Sequence, residues 1–567
     1  MVYCIADNIT SPLGVTTAEN YKALREGRSA LTSYLSYSGR DEDNYVASRF
    51  TIEQQKQLMV EGLTWFESLV YSSVKNALLD CDIDVSSQRT LFVISTTKAN
   101  IEHLQTSEYD TLEPAESANR IASVLGVVCQ PLVVCNACIS GVAALVTAQR
   151  LLESGGYDNA IVVGCDVISH FVVSGFQSLK ALSPEPCRPF DIERLGLNLG
   201  EAAATMILSV NKPQTVSWKL VRGAIRNDGY HITSPSPKGD GCACAINYVT
   251  EGIALDTLSA VNVHGTATMY NDQMESKAIA ASGLSAIPIN TLKGYYGHTL
   301  GASGILETII TMHSVSHGEL LATRGFSEIG VSGKVNISAS PVSVSKHSFV
   351  KIISGFGGCN AAVYLEASSE NKEDNEFRED CDYSVAHSVK ITPYSIVVDG
   401  KQIEIDTSTD NILADIYKRH IGSYPKFYKM DRLSQLGFVA SELLLNQEYP
   451  RLQQCADRAI VLFNHSSSVW VDCEYAKSIA IGDDYFPSPS LFVYTLPNIV
   501  CGEIAVRNGY HTETSFYIIP NKDENIMHEV LTSTFLDDSL QSILAGWIDY
   551  EDESHFEAEL KLIIKSK

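Results

Sequence analysis

Two cysteines, Cys135 and Cys138, lie three residues apart in VVCNACISG (133–141). A Cys-x-x-Cys spacing admits three chemistries: a redox pair, half of a metal site, or a nucleophile beside an unrelated neighbour. A redox pair needs its first cysteine exposed at a helix start and its second one turn further in. Here the pattern buries Cys135 in a strand and puts Cys138 at the turn into a helix, so the spacing reads as incidental. That helix opens with Ser140, Gly141, Ala143 and Ala144, small enough to admit a substrate and neighbouring backbone. Unpaired backbone N–H groups at a helix N-terminus favour the thiolate, which makes Cys138 a candidate nucleophile with a lowered pKa.

Further polar groups fall where apolar strands end. His264 closes a strand in VNVHGTATMYND (261–272), ahead of Thr266 and Thr268. His298 stands among glycines in NTLKGYYGHTLGASGILE (290–307), with Lys293 before it and Glu307 in the helix after it. Phe356 occupies a glycine turn between two strands in VKIISGFGGCNAAVYLE (350–366). Open α/β sheets place their sites at such strand ends. His231, in DGYHITSP, reads as a turn histidine, and Lys293 with Glu307 also suits an ordinary structural pair. The pair Cys242 and Cys244 is too isolated to supply the four ligands of a structural zinc site, and no metal site is expected.

Short apolar strands alternating with helices must position these groups. TLFVIS (90–95), PLVVCNA (131–137) and NAIVVGCD (159–166) read as buried strands, and GVAALVTAQRLLESGG (141–156) as a helix. The pattern predicts an α/β protein with a largely parallel sheet covered on both faces. With 567 residues the chain exceeds one ordinary core, and we expect units at 1–210, 211–367 and 383–567. Between the last two, 368–382 carries seven acidic and two basic residues and reads as a linker or a solvated helix face. Residues 383–567 echo the first unit: a helix, a link, then a strand opening at Arg458 as an earlier one opens at Arg89. The echo is one of pattern, and its counterpart of the nucleophile region, near GYHTETSFYIIPN (509–521), holds no cysteine. This last unit is expected to be non-catalytic.

A net charge of −25 argues against nucleic acid or an anionic membrane as partner. No run of 18 apolar residues appears, the N-terminal stretch lacks a signal-like pattern, and 14 scattered cysteines suit a reducing compartment. A cytoplasmic location is the expectation.

Six segments occur in one order: VCNACISG, CRPFDIERLGLNLGEAAA (187–204), NDGYHITSPSPKGDG (227–241), VHGTATMYND, KGYYGHTLGASG and GFGGCNAA. Over about residues 1–366 the chain resembles the elongating, Cys-His-His β-ketoacyl-acyl carrier protein synthases of the thiolase-fold superfamily. The resemblance implies a layered α-β-α-β-α fold and decarboxylative condensation in fatty-acid or polyketide synthesis. Cys138 would carry the acyl group, and His264 and His298 would stabilise the malonyl-derived enolate. The N–H groups of Cys138 and Phe356 would form the oxyanion hole, with Phe356 also the gate. Lys293, balanced by Glu307, would keep the histidines neutral, and Thr266 and Thr268 would hold phosphopantetheine. The implied partners are acyl carrier protein and a second synthase-like chain, as a homodimer or heterodimer, with no bound cofactor. The alternative is a non-catalytic chain-length-factor-like scaffold, a class that usually lacks the cysteine.

The sequence departs from the family at Ser354 (usually Phe), at Ala267 and Ala202 (usually Gly), and at Tyr295 and Tyr296, which are expected to crowd His298.

Overall fold

The computed structural model describes residues 1–37, 44–105, 112–213, 217–368, 381–405, 411–448, 455–480 and 485–566. Most of the acidic stretch 368–382 lies outside the described residues.

The apolar runs form strands whose side chains are buried on both faces. In the first half the sheet order is Leu132–Val134, Thr90–Ser95, Asn159–Asp166, Ala202–Ser209, Val2–Thr10. The second half repeats it with Pro288–Asn290, Ala260–Asn262, Ser348–Gly355, Cys359–Ala367, Trp218–Asn227. In each, the first three strands are parallel and the last two antiparallel. The sheet is therefore mixed, not largely parallel. One reason is local: Phe356–Gly358 joins two strands as a tight hairpin, and a hairpin can join only antiparallel strands.

Two helices, Ser140–Glu153 and Ser303–Ser316, pack against strands of both halves. All residues from Ser140 to Leu152 are buried, as a helix between two sheets requires. Glycines let their N-terminal ends touch. A Cβ on Gly141 would lie 2.8 Å from the Gly301 carbonyl oxygen, and one on Gly304 would lie 2.6 Å from the Val142 nitrogen. This contact brings the loop of Cys138 beside the loop of His298.

The C-terminal unit forms a third sheet: Thr514–Ile518, Arg458–Asn464, Ser542–Asp552, His555–Lys565, Tyr383–Thr392. Its order and directions match those of the first half. Thr514–Ile518 pairs antiparallel with Leu132–Val134, so one continuous sheet crosses from one unit to the other beside the nucleophile turn. Buried ion pairs tie the units: Arg150 with Glu513 at 2.6 Å, Arg226 with Asp537 at 2.7 Å and Lys98 with Asp472 at 2.7 Å. Breaking one partner of such a pair strands a buried charge, so these contacts fix the docking geometry. The architecture is thiolase-like. Among the described residues no helix is long and apolar enough to cross a membrane.

Candidate active site

The strand Leu132–Val134 runs into a turn that the C-terminal unit holds. Asn136 Nδ2 donates to the Thr514 carbonyl (3.1 Å), and the Phe516 N–H donates to Asn136 Oδ1 (2.9 Å). Ser140 Oγ accepts from the Asn136 N–H and donates to the Ala137 carbonyl. Ala137 sits at φ +49°, a left-handed conformation that a non-glycine residue adopts at a cost and that kinks the chain at the nucleophile. Cys138 lines a cavity of about 360 Å³. Cys135 is a buried free thiol whose Sγ faces the Thr97 carbonyl at 3.7 Å, so the two cysteines form no disulfide. The expected low thiol pKa is corrected. Burial dominates and pushes the Cys138 thiol up to about 12, while Lys293 and the N–H groups of Cys138 and Phe356 pull it down. Cys138 and Phe356 line the same cavity, and a Cβ on Gly355 would come within 3.2 Å of the Cys138 nitrogen, so the two turns abut.

The sulfur and one ring nitrogen from each of His264 and His298 lie within 4.8 Å of one another. The two rings stand edge to face, centroids 4.9 Å apart. His264 is placed by its backbone: its N–H and that of Gly265 donate to the Glu275 carboxylate at 2.7 and 2.8 Å. His298 reveals its tautomer. The Leu300 N–H points at His298 Nδ1 (3.2 Å), so Nδ1 must present a lone pair, and the proton sits on Nε2. The Nε2 atom is buried with no protein partner and is free to donate to a substrate. The same fact disfavours reading Cys138, His264 and His298 as a zinc triad, because Nε2 carrying a proton has no lone pair for a metal.

Burial and then the Lys293 ammonium hold both imidazoles well below the usual histidine pKa. Both rings are thus neutral donors through mildly acidic pH. A rate that depends on them should stay flat from pH 7.5 to 5.5. Ordinary imidazoles of pKa about 6.5 would cost roughly a hundredfold at pH 5.5 if both must be neutral. Release of carbon dioxide from a malonyl thioester, followed against pH, distinguishes the two.

Lys293 and Glu307 meet as an ion pair, and a third member, Lys351, binds the other carboxylate oxygen. Lys351 also donates to Asn262 Oδ1 at 2.8 Å. All three are at most 2% exposed. One carboxylate between two ammonium groups leaves net positive charge beside the histidines, and burial lowers Lys351 to about 8. Asp166 was also missed by sequence reasoning. It accepts from Thr96 Oγ1 (2.8 Å), the Thr97 N–H (3.0 Å) and the Gly301 N–H (2.7 Å), clamping the first half to the His298 loop. A lone lysine inside FVKII and an aspartate ending VVGCD were the available signals.

Thr266 and Thr268 line the cavity, their hydroxyls 3.0 Å apart. Between them Ala267 sits at φ +64°, where a Cβ costs about 1 kcal/mol. Ala267→Gly should therefore raise stability by about that amount, read as a shifted denaturant midpoint at unchanged slope. Ser354 lines the cavity and donates to Asn360 Oδ1 at 2.7 Å, a contact a phenylalanine could not make. Tyr295 and Tyr296 do not crowd His298. They turn into the core, and their hydroxyls donate to the Ala322 carbonyl and Asn20 Oδ1. His231 Nδ1 accepts from the Thr233 N–H, fitting its turn role, yet the ring also borders the cavity.

Residues 69–213 match the model of the β-ketoacyl synthase N-terminal domain, and 219–327 that of the C-terminal domain. A putative mitochondrial 3-oxoacyl-[acyl-carrier-protein] synthase of Schizosaccharomyces pombe is 30% identical over 252 residues, 40% of this chain and 59% of that protein. The chain thus spans less than two thirds of that relative. A 3-oxoacyl-[acyl-carrier-protein] synthase 2 of Vibrio cholerae is 26% identical over 54% of this chain and 83% of its own length. Among solved structures, a ketosynthase in complex with its chain length factor from Xenorhabdus doucetiae covers 65% of this chain and 98% of its own, at 25% identity and TM-score 0.57. The PfaC keto synthase–chain length factor covers 100% of this chain and 78% of its own at TM-score 0.76 and 14% identity, a likeness of fold.

Proposed function

We propose, from the premise that this chain belongs to the β-ketoacyl synthase family of the thiolase-like superfamily, that it condenses an acyl thioester with malonyl-acyl carrier protein to give 3-oxoacyl-acyl carrier protein. The observation that carries the reading is the convergence of the Cys138 thiol with the two neutral imidazoles in one cavity.

The reaction runs in two stages. Cys138 attacks an acyl thioester, and its proton leaves with the departing carrier thiol. The oxyanion sits between the N–H groups of Cys138 and Phe356. Thr266 and Thr268 then hold the pantetheine arm of the malonyl carrier. His264 and His298 donate to its thioester carbonyl, so that loss of carbon dioxide leaves a stabilised enolate. The enolate carbon attacks the acyl-cysteine carbonyl. The C–S bond to Cys138 breaks, and the departing thiolate takes a proton from water. Burial, with the Lys293 and Lys351 ammonium groups, keeps the imidazoles uncharged, because a nearby cation disfavours a second one.

The C-terminal unit supplies no nucleophile. The turn after its strand Thr514–Ile518, residues 519–523, contains neither cysteine nor serine. Because its strand already pairs with Leu132–Val134, the edge beside the nucleophile is filled from within the chain. An intramolecular strand pair thus stands at that edge. Incubation with acyl- and malonyl-carrier protein tests the function. A carrier gaining the mass of a 3-oxoacyl group supports it, whereas no product and no loss of carbon dioxide supports the scaffold alternative.

A further inference from the structure

A side chain of the C-terminal unit reaches the turn that holds Phe356. Asn498, 3% exposed, stands at the start of the helix Ile499–Asn508 in the C-terminal unit. Its Nδ2 donates to the Phe356 carbonyl at 3.0 Å, across 142 residues of sequence. The Gly357 N–H, at the other end of the same peptide plane, donates to the Ile232 carbonyl at 2.6 Å. That plane is held at both ends. The next is held too, since Asn227 Nδ2 donates to the Gly357 carbonyl at 2.8 Å.

Two glycines make this contact close. Gly357 lies at φ +91°, and a Cβ there would come within 2.7 Å of Asn498 Nδ2. A Cβ on Gly502, one turn along the helix, would come within 2.7 Å of the Gly357 carbonyl oxygen and 2.9 Å of its Cα. The helix therefore bears on the turn from behind, while in front Phe356 lines the cavity with Cys138, and a Cβ on Gly355 would come within 3.2 Å of the Cys138 nitrogen. The Phe356 carbonyl and N–H belong to adjacent peptide planes that pivot on one Cα, so fixing the carbonyl restricts where the N–H can aim.

We infer that Asn498 is a positioning residue of the reaction: by holding the Phe356 carbonyl it aims the Phe356 N–H at the oxyanion site beside Cys138. The C-terminal unit is then a brace for one donor of the oxyanion hole. This inference rests on the proposed condensing activity and deepens it.

The two half-reactions separate the claim from general damage. Acylation of Cys138 needs the Phe356 N–H. Decarboxylation of a malonyl thioester without an acyl donor uses the two imidazoles instead. Complete loss of an oxyanion donor costs about 10²–10³ in rate, and a misaimed donor should cost about tenfold or more. Asn498→Ala is expected to slow Cys138 acylation by about that factor, with decarboxylation within about twofold of the parent. Gly502→Ala keeps Asn498 but pushes on the same turn, and should give the same split. Equal loss in both half-reactions, or unchanged acylation in both variants, overturns the inference. Failure of the underlying activity looks different, because the parent protein would then perform neither half-reaction.

Discussion

His298→Ala is expected to lower decarboxylation and overall condensation by about 10²–10³ while Cys138 still becomes acylated at close to the parent rate. The Leu300 N–H fixes the His298 proton on Nε2, and that buried atom has no protein partner to satisfy it. A buried donor left unpaired in the folded protein is costly, and a thiol ester carbonyl entering the cavity relieves that cost. His298→Asn retains an N–H donor in the same place and should recover part of the lost rate. Stopped-flow measurement of carbon dioxide release, alongside mass analysis of the acyl-enzyme, reads both halves. Equal loss of acylation and decarboxylation in the alanine variant would mean that His298 serves the fold instead of the enolate.

The second large effect concerns stability. Glu307→Ala removes the single carboxylate shared by Lys293 and Lys351, leaving two ammonium groups in the interior. Breaking a buried pair in this way typically costs about 3–5 kcal/mol. The sign with pH follows. Burial already lowers Lys351 from the ordinary lysine value of 10.5 to about 8 in the folded protein. The unfolded chain therefore binds more protons between those values, and stability contributed by this group rises with pH across that window. Without Glu307 the Lys351 ammonium loses its carboxylate and falls further, so the variant should regain stability more steeply than the parent as pH rises from 7 to 10. Adding Lys351→Met to Glu307→Ala should restore part of the loss by removing one stranded charge. Urea unfolding of the three proteins at pH 7 and 9 checks this, and a double variant less stable than the single one contradicts the arrangement.

How much of this could be read from the sequence depended on distance along the chain. Cys138, His264, His298 and Phe356 each sit in a short motif whose own strand end and glycines place them, so their local positions were legible. Lys293 and Glu307 were legible for the same reason, being 14 residues apart on either side of one loop. Lys351 was not, because its pairing with Glu307 crosses between separate elements and its flanking residues read simply as strand. Asp166 bonds Thr97 and Gly301, 69 and 135 residues away, and nothing near VVGCD announces either contact. The echo of the first unit in residues 383–567 was visible as a pattern of helix and strand. Its docking was not, since the pairing of Tyr517 with Val134 is a contact between strand edges that carry no sequence mark. The low thiol pKa expected of Cys138 failed for a related reason: the helix start is a local feature, whereas burial is set by the whole fold. Tyr295 and Tyr296 looked close to His298 in sequence, but successive side chains in their helical turn point into the core.

The central claim is that Cys138 is a substrate-bearing nucleophile within reach of both histidines. Intact-mass measurement after incubation with acyl-carrier protein tests it most directly. One acyl group per chain is expected, mapped by peptide analysis to Cys138 and absent from Cys138→Ser. A protein that stays unmodified, or that carries the acyl group on another residue, or that loses two hydrogens through a bond between Cys135 and Cys138, would contradict it.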